Sequence, residues 1–156
     1  MEKGESEKIM EYILLEWFHD IEDEPYLIYS EIDNQRYETR KIEVFKNGTC
    51  LRCGEEILNS SIDLADIAFP ENIDEINRDK QFHAKYITKK DFEKFWDSIN
   101  NCIRIVKEIY KIDDNSECEK YANGIFKIAH SIGGDNYGEA TIRGIAEALH
   151  KRNYTP

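Results

Sequence analysis

A chain of 156 residues that is 40% hydrophobic, with seven Phe, nine Tyr and two Trp, carries enough apolar material for one folded core and too much for a disordered chain. Its net charge of −11 is uneven, −10 in residues 1–70 against −1 in residues 71–156. That imbalance disfavours a sequence-independent nucleic-acid binder, which needs clustered Lys and Arg, and favours a basic protein partner.

No run approaches the length needed to cross a bilayer, and the opening "MEKGESEKIM" lacks the apolar stretch of a signal peptide, so a cytoplasmic protein with no membrane association is expected. Cys50, Cys53, Cys102 and Cys118 are then expected to be thiols or metal ligands rather than disulfides.

In chain order, residues 1–10 read as a flexible N-terminus. "EYILLEWFH" (11–19) is rich in β-branched and aromatic residues over a strand's length, and "YLIYSEID" follows Pro25 as a second strand. In the third, "YETRKIEVF", alternation puts Glu38, Arg40, Ile42 and Val44 on one face and Tyr37, Thr39, Lys41, Glu43 and Phe45 on the other, leaving one face wet. A four-residue loop, Asn34 to Tyr37, sets Glu31 opposite Arg40, Tyr29 opposite Ile42 and Leu27 opposite Val44. A two-residue loop would instead oppose Glu31 and Glu38, a like-charge pair.

Asn47-Gly48 marks a two-residue hairpin turn, after which "CLRCG" begins a fourth strand or a knuckle. Residues 55–87 are less regular, with one short helix in "PENIDEINRD" opened by Pro70 and capped by Asn72, with Glu75 three residues on. From Thr88 the period becomes helical. Thr88 and Asp91 form the cap of a helix bearing Phe92, Phe95, Trp96, Ile99, Cys102, Ile103, Val106, Ile109 and Tyr110. Ser116 with Glu119 reads as the capping box of the next helix, ended by Gly133-Gly134, and Asn136 with Glu139 opens the last. The expected fold is α+β, an antiparallel sheet of about four strands in the N-terminal half packed with three to four helices in the C-terminal half. One domain is expected over 1–156, with a sheet core at 11–97 and a helical extension at 98–156.

The stretch "HDIEDEPYLIYSEID" sets six carboxylates around an apolar run with no cation among them. Consecutive "EDE" in a polar loop gives no pair of carboxylates in unequal environments, as acid/base chemistry requires, and it lacks the ligand alternation and Gly of a calcium loop. A partner-facing surface remains, with Asp20, Glu22, Asp23 and Glu24 as outer charges, Glu31 and Asp33 nearer the sheet, and Tyr26 and Tyr29 as aromatic anchors. His19 reads as an imidazole hydrogen-bonded at the sheet edge. The Cys-x-x-Cys-Gly of Cys50 and Cys53 has the shape of a zinc knuckle, but four ligands would need His83 or His19 as well, so no metal and no cofactor are expected. The final two helices could be drawn as helix-turn-helix, yet the last one balances Arg143, Lys151 and Arg152 against Glu139 and Glu147, so core packing explains it better.

The run "EWFHD…EPYLIYSEIDNQRYETRKIEVFKNG", Glu16 to Gly48, with a weaker continuation from Phe69 to Trp96, resembles a bacterial domain family of unassigned function. The matching positions are Trp17, His19, Pro25, Tyr29, Ser30, Glu31, Asp33, Arg36, Glu38 and Arg40. The resemblance covers about residues 11–97 and leaves out "CLRCG" and the helices after about residue 98. It implies an antitoxin-like role of the kind found among toxin and immunity genes of contact-dependent growth inhibition. Charge and resemblance together lead to one expectation, a non-enzymatic immunity protein that neutralises a basic bacterial toxin domain, a nuclease above all. The alternatives are a small enzyme using His19, Tyr29, Glu31 and Arg40 on the sheet, and a zinc-stabilised adaptor using Cys50 and Cys53.

Overall fold

The computed structural model describes residues 9–55, 57, 60–133 and 138–156. Five antiparallel strands, β1 (Glu11–Trp17), β2 (Leu27–Ile32), β3 (Glu38–Val44), β4 (Cys50–Gly54) and β5 (Phe82–Ile87), lie in the order β4-β3-β2-β1-β5. The helices are α1 (Asp74–Asn77), α2 (Lys89–Tyr110), α3 (Asn115–Gly133) and α4 (Glu139–Lys151). The fold is α+β, with one strand more than the sequence suggested. In β5 the exposed His83 and Lys85 dilute the apolar signal, and its pairing with the distant β1 makes it a strand.

The long β2–β3 loop is borne out: Glu31 pairs with Arg40, Tyr29 with Ile42 and Leu27 with Val44. Ile32 faces Glu38, so Thr39 is an extra residue, a β-bulge. The bulge turns Glu38 to the face opposite Arg40, Ile42 and Val44, against simple alternation. There Glu38 accepts from Ser30 Oγ (2.6 Å) and from the Ala65 amide (2.7 Å).

The β3–β4 connection also differs. Phe45 N donates to Thr49 O and Gly48 N to Phe45 O, making a three-residue loop with Gly48 at φ +94° in place of the expected two-residue turn. The Asn-Gly signal located the hairpin; Gly at the left-handed position gave it a bulged form.

Both sheet faces are covered. One packs Tyr12, Ile42, Val44 and Cys50 against Phe92, Trp96, Ile99 and Val106 of α2, continuous with Ile125, Phe126 and Ile142 of α3 and α4. The other, expected to be wet, holds a smaller cluster of Ile13, Ile32 and Ala84 under Phe69, Ile73 and Ile76. Each edge strand has backbone groups occupied by side chains, which hinders edge-to-edge pairing. The Ala84 amide of β5 donates to Asn77 Oδ1, and Asn77 Nδ2 donates to Ala84 O (3.0 Å). On β4, the Cys50 amide donates to Asn123 Oδ1 (3.1 Å) and Ser60 Oγ to Arg52 O (2.7 Å).

The Thr88 cap is present, with Asp91 N donating to Thr88 Oγ1 at 3.0 Å. The α3 cap lies two residues upstream of the expected box: Asp114 Oδ1 accepts from Ser116 N (3.1 Å), while Glu119 turns to Arg52 (3.5 Å). At α1, Asn72 accepts from Asp74 N (2.9 Å) without Glu75 completing a box. Gly134 and Asn136, expected to end α3 and open α4, lie outside the described residues.

Candidate interaction surface

The acidic stretch forms the β1–β2 connection. Trp17 N donates to Tyr26 O (2.9 Å) and Phe18 N to Gln81 O (2.7 Å), so the loop leaves the sheet as the two strands separate. His19 closes it. Its Nε2 lies 2.8 Å from Pro25 O, an acceptor, and its Nδ1 accepts from Ile21 N at 2.9 Å. These partners require a neutral imidazole with the proton on Nε2. Trp17 lies against the ring (centroids 4.3 Å apart), and Lys46 Nζ donates to His19 O (2.8 Å).

Beyond that closure, Asp20, Glu22, Asp23 and Glu24 are exposed, and among the described residues none forms an ion pair with the protein's own Lys or Arg. Beside them stand two exposed apolar side chains, Phe18 at 55% and Ile21 at 54%. Sequence reasoning missed this pair because Phe18 was read into the first strand, which stops at Trp17, and Ile21 is a single apolar residue in a charged run.

Glu31 is not part of that surface. It is 7% exposed and points at α2, receiving Tyr12 Oη (2.9 Å), Thr39 Oγ1 (2.8 Å) and two hydrogen bonds from Arg40 (2.9 and 2.6 Å). Burial works against its charge, but the hydrogen bonds from Arg40, Thr39 and Tyr12 outweigh it and hold the carboxyl below its ordinary range. The same burial and the bond to Glu31 push the Tyr12 hydroxyl up to about 12. Arg40 also pairs with Glu93 (2.8 Å) and lies 4.8 Å from the ring centroids of Phe92 and Trp96. The group is a polar clamp between sheet and helix.

Asp33 is a turn residue whose Oδ1 accepts from the amides of Gln35 (2.9 Å) and Tyr37 (3.0 Å). Tyr29 meets Phe95 edge-on with centroids 5.0 Å apart, and Tyr26 and Tyr29 line a cleft of about 640 Å³ with Leu14, Lys94 and Phe95. Of the eight partner-facing residues expected, Asp20, Glu22, Asp23 and Glu24 form one outward constellation, while Glu31, Asp33, Tyr26 and Tyr29 serve the fold or the cleft.

Key residues of the two alternatives are already engaged within the fold or buried in it. Both ring nitrogens of His19 are taken by loop backbone, and Glu31 and Arg40 are tied to each other. Cys50 and Cys53 lie three apart in a regular strand, which directs their side chains to opposite faces. Burial pushes the Cys50 thiol up to about 12 and Cys53 to about 11, the reverse of an activated thiolate. Among the described residues no group of three or more His, Cys, Asp or Glu could hold a metal ion. Nor, among them, is any helix long and apolar enough to cross a membrane.

Residues 11–101 match a family described as a domain of unknown function, DUF6881. The chain belongs to this family. The DUF6881 region takes in all five strands, α1 and the first half of α2, and it includes every position on which the resemblance was drawn. No curated protein and no solved structure matches the chain.

Proposed function

We propose that this DUF6881 protein is an immunity-type inhibitor that binds a basic bacterial toxin domain, a nuclease being the class that fits best. The supporting observation is the β1–β2 loop, four exposed carboxylates with no Lys or Arg counter-ion among the described residues, beside the exposed Phe18 and Ile21. Interfaces combine an apolar centre with a charged rim, and this loop offers both within seven residues. A nuclease is cationic where its substrate lies, so an anionic loop is attracted to that surface and covers it.

The proposal is tested by affinity capture from the source organism with the wild-type chain and with the variant D20K/E22K/D23K/E24K. Capture of a basic protein by the wild type alone, followed by loss of that protein's activity in the purified complex, supports the reading. Equal capture by both forms, or a captured protein whose activity is unaffected, contradicts it.

A further inference from the structure

The loop that carries the carboxylates is held by Lys46 on His19 O, by a Glu24 N to Ile21 O bond (3.3 Å) and by the His19 side chain, whose hydrogen bonds admit a single protonation state. Nε2 must carry a proton because Pro25 O, 2.8 Å away, only accepts. Nδ1 must be bare because Ile21 N, 2.9 Å away, only donates. A second proton would set N–H against N–H at Nδ1 and break the bond that bends the chain from His19 to Ile21. We propose that His19 is the positioning residue of the acidic loop, holding Asp20, Glu22, Asp23 and Glu24 in their binding arrangement while neutral and releasing them on protonation. This rests on the reading of the loop as a partner surface and adds its regulation.

The loop itself carries four carboxylates, Lys46 of the β3–β4 turn donates to His19 O, and Trp17, whose ring lies against the imidazole, is preceded by Glu16, which pairs with His83 of β5 at 3.1 Å. The Trp17 ring lies against the imidazole at an interplanar angle of 59°, so the imidazole is held by a tilted aromatic contact as well as by two backbone groups. Binding energy then goes into contacts rather than into ordering the loop, which is the gain that preorganisation gives.

The variants H19N and H19A separate the parts of this proposal. Asn can place its Oδ1 where Nδ1 lies and accept from Ile21 N, as in an Asx turn, with no titration in this range. The experiment is nitrogen and amide NMR on the free protein from about pH 8 to pH 5, the interval in which imidazoles change charge. The wild type is expected to show the Nε2–H tautomer at pH 8, with Ile21 amide exchange slowed about five- to tenfold relative to H19A, the size of one hydrogen bond. On acidification the Ile21 to Glu24 resonances should move together with the His19 titration. H19N should keep the Ile21 protection and lose the transition. An Nδ1–H tautomer, equal Ile21 exchange in wild type and H19A, or titration of His19 that leaves Ile21 unmoved overturns the proposal. Because no partner is present, such a failure is distinct from failure of the binding reading, which the capture experiment decides.

Discussion

Arg40 shows how the acidity of the front half divides between surface and interior. Its guanidinium bridges Glu31 and Glu93 and lies over Phe92 and Trp96, so the sheet and α2 meet through one planar cation. Replacing Arg40 with Met would leave two carboxylates without their cation, and urea denaturation should record a loss of about 3–5 kcal/mol; a loss under about 1 kcal/mol would contradict the clamp. Glu31 adds a pH dependence. Its folded-state pKa is depressed, so its contribution to stability is present above the ordinary value of 4.5 and is lost as pH falls through the lower folded value. Glu31→Gln should therefore be less stable than wild type at neutral pH and flatten the acid limb of the stability profile. Parallel acid limbs would contradict that assignment. The charge pairing of Glu31 with Arg40 was legible in the sequence because like charges avoid facing each other across strands. Its burial was not, since alternation alone does not say which face a helix will cover.

Among the elements, the hairpins and α2 were readable from local chemistry, and the misreadings arose where tertiary contacts decide. The β2–β3 register followed from charge and apolar matching, but the Thr39 bulge did not, because a bulge leaves no mark in an alternating pattern. The α3 cap moved to Asp114 because Glu119, the expected partner of Ser116, pairs with Arg52 of β4 instead. Gly48 joins local and tertiary demands. Its φ of +94° suits glycine, and a Cβ there would lie 2.7 Å from His130 Cβ and 2.9 Å from Phe126 O on α3. Gly48→Ala should thus cost more than the roughly 1 kcal/mol of a strained backbone alone, because the hairpin must also shift from α3. Thermal unfolding measures this, and an unchanged midpoint would show that the turn does not dock on α3 as described.

At the scale of the molecule, the family region ends at residue 101, in the middle of α2, but the core does not end there. Ile125, Phe126, Ala129, Ile142 and Ala146 belong to the same buried cluster as Ile42 and Phe92. The helices from α3 onward are therefore part of one core rather than an appendage. A fragment ending at residue 111 would strip α3 and α4 from α2 and so open the shared core, and it should bind a hydrophobic dye and aggregate; a monomeric fragment with cooperative unfolding would contradict this. The molecule's own cations neutralise part of its front-half charge, since Glu11 pairs with Arg36, Glu31 with Arg40, and Glu38 and Glu43 with Lys41. The β1–β2 loop keeps its charge facing outward.

The proposed role of that remaining charge is tested most directly by the association rate of the chain with the proposed basic partner, once capture has identified it, as salt is raised from about 50 to 500 mM. Attraction to four exposed carboxylates that pair with no Lys or Arg among the described residues requires the rate to fall steeply, about tenfold or more, and the fall to shrink when Asp20, Glu22, Asp23 and Glu24 are reversed to lysine. A rate indifferent to salt, or an equally steep fall in the reversed variant, would show that the loop is not where a cationic partner is received.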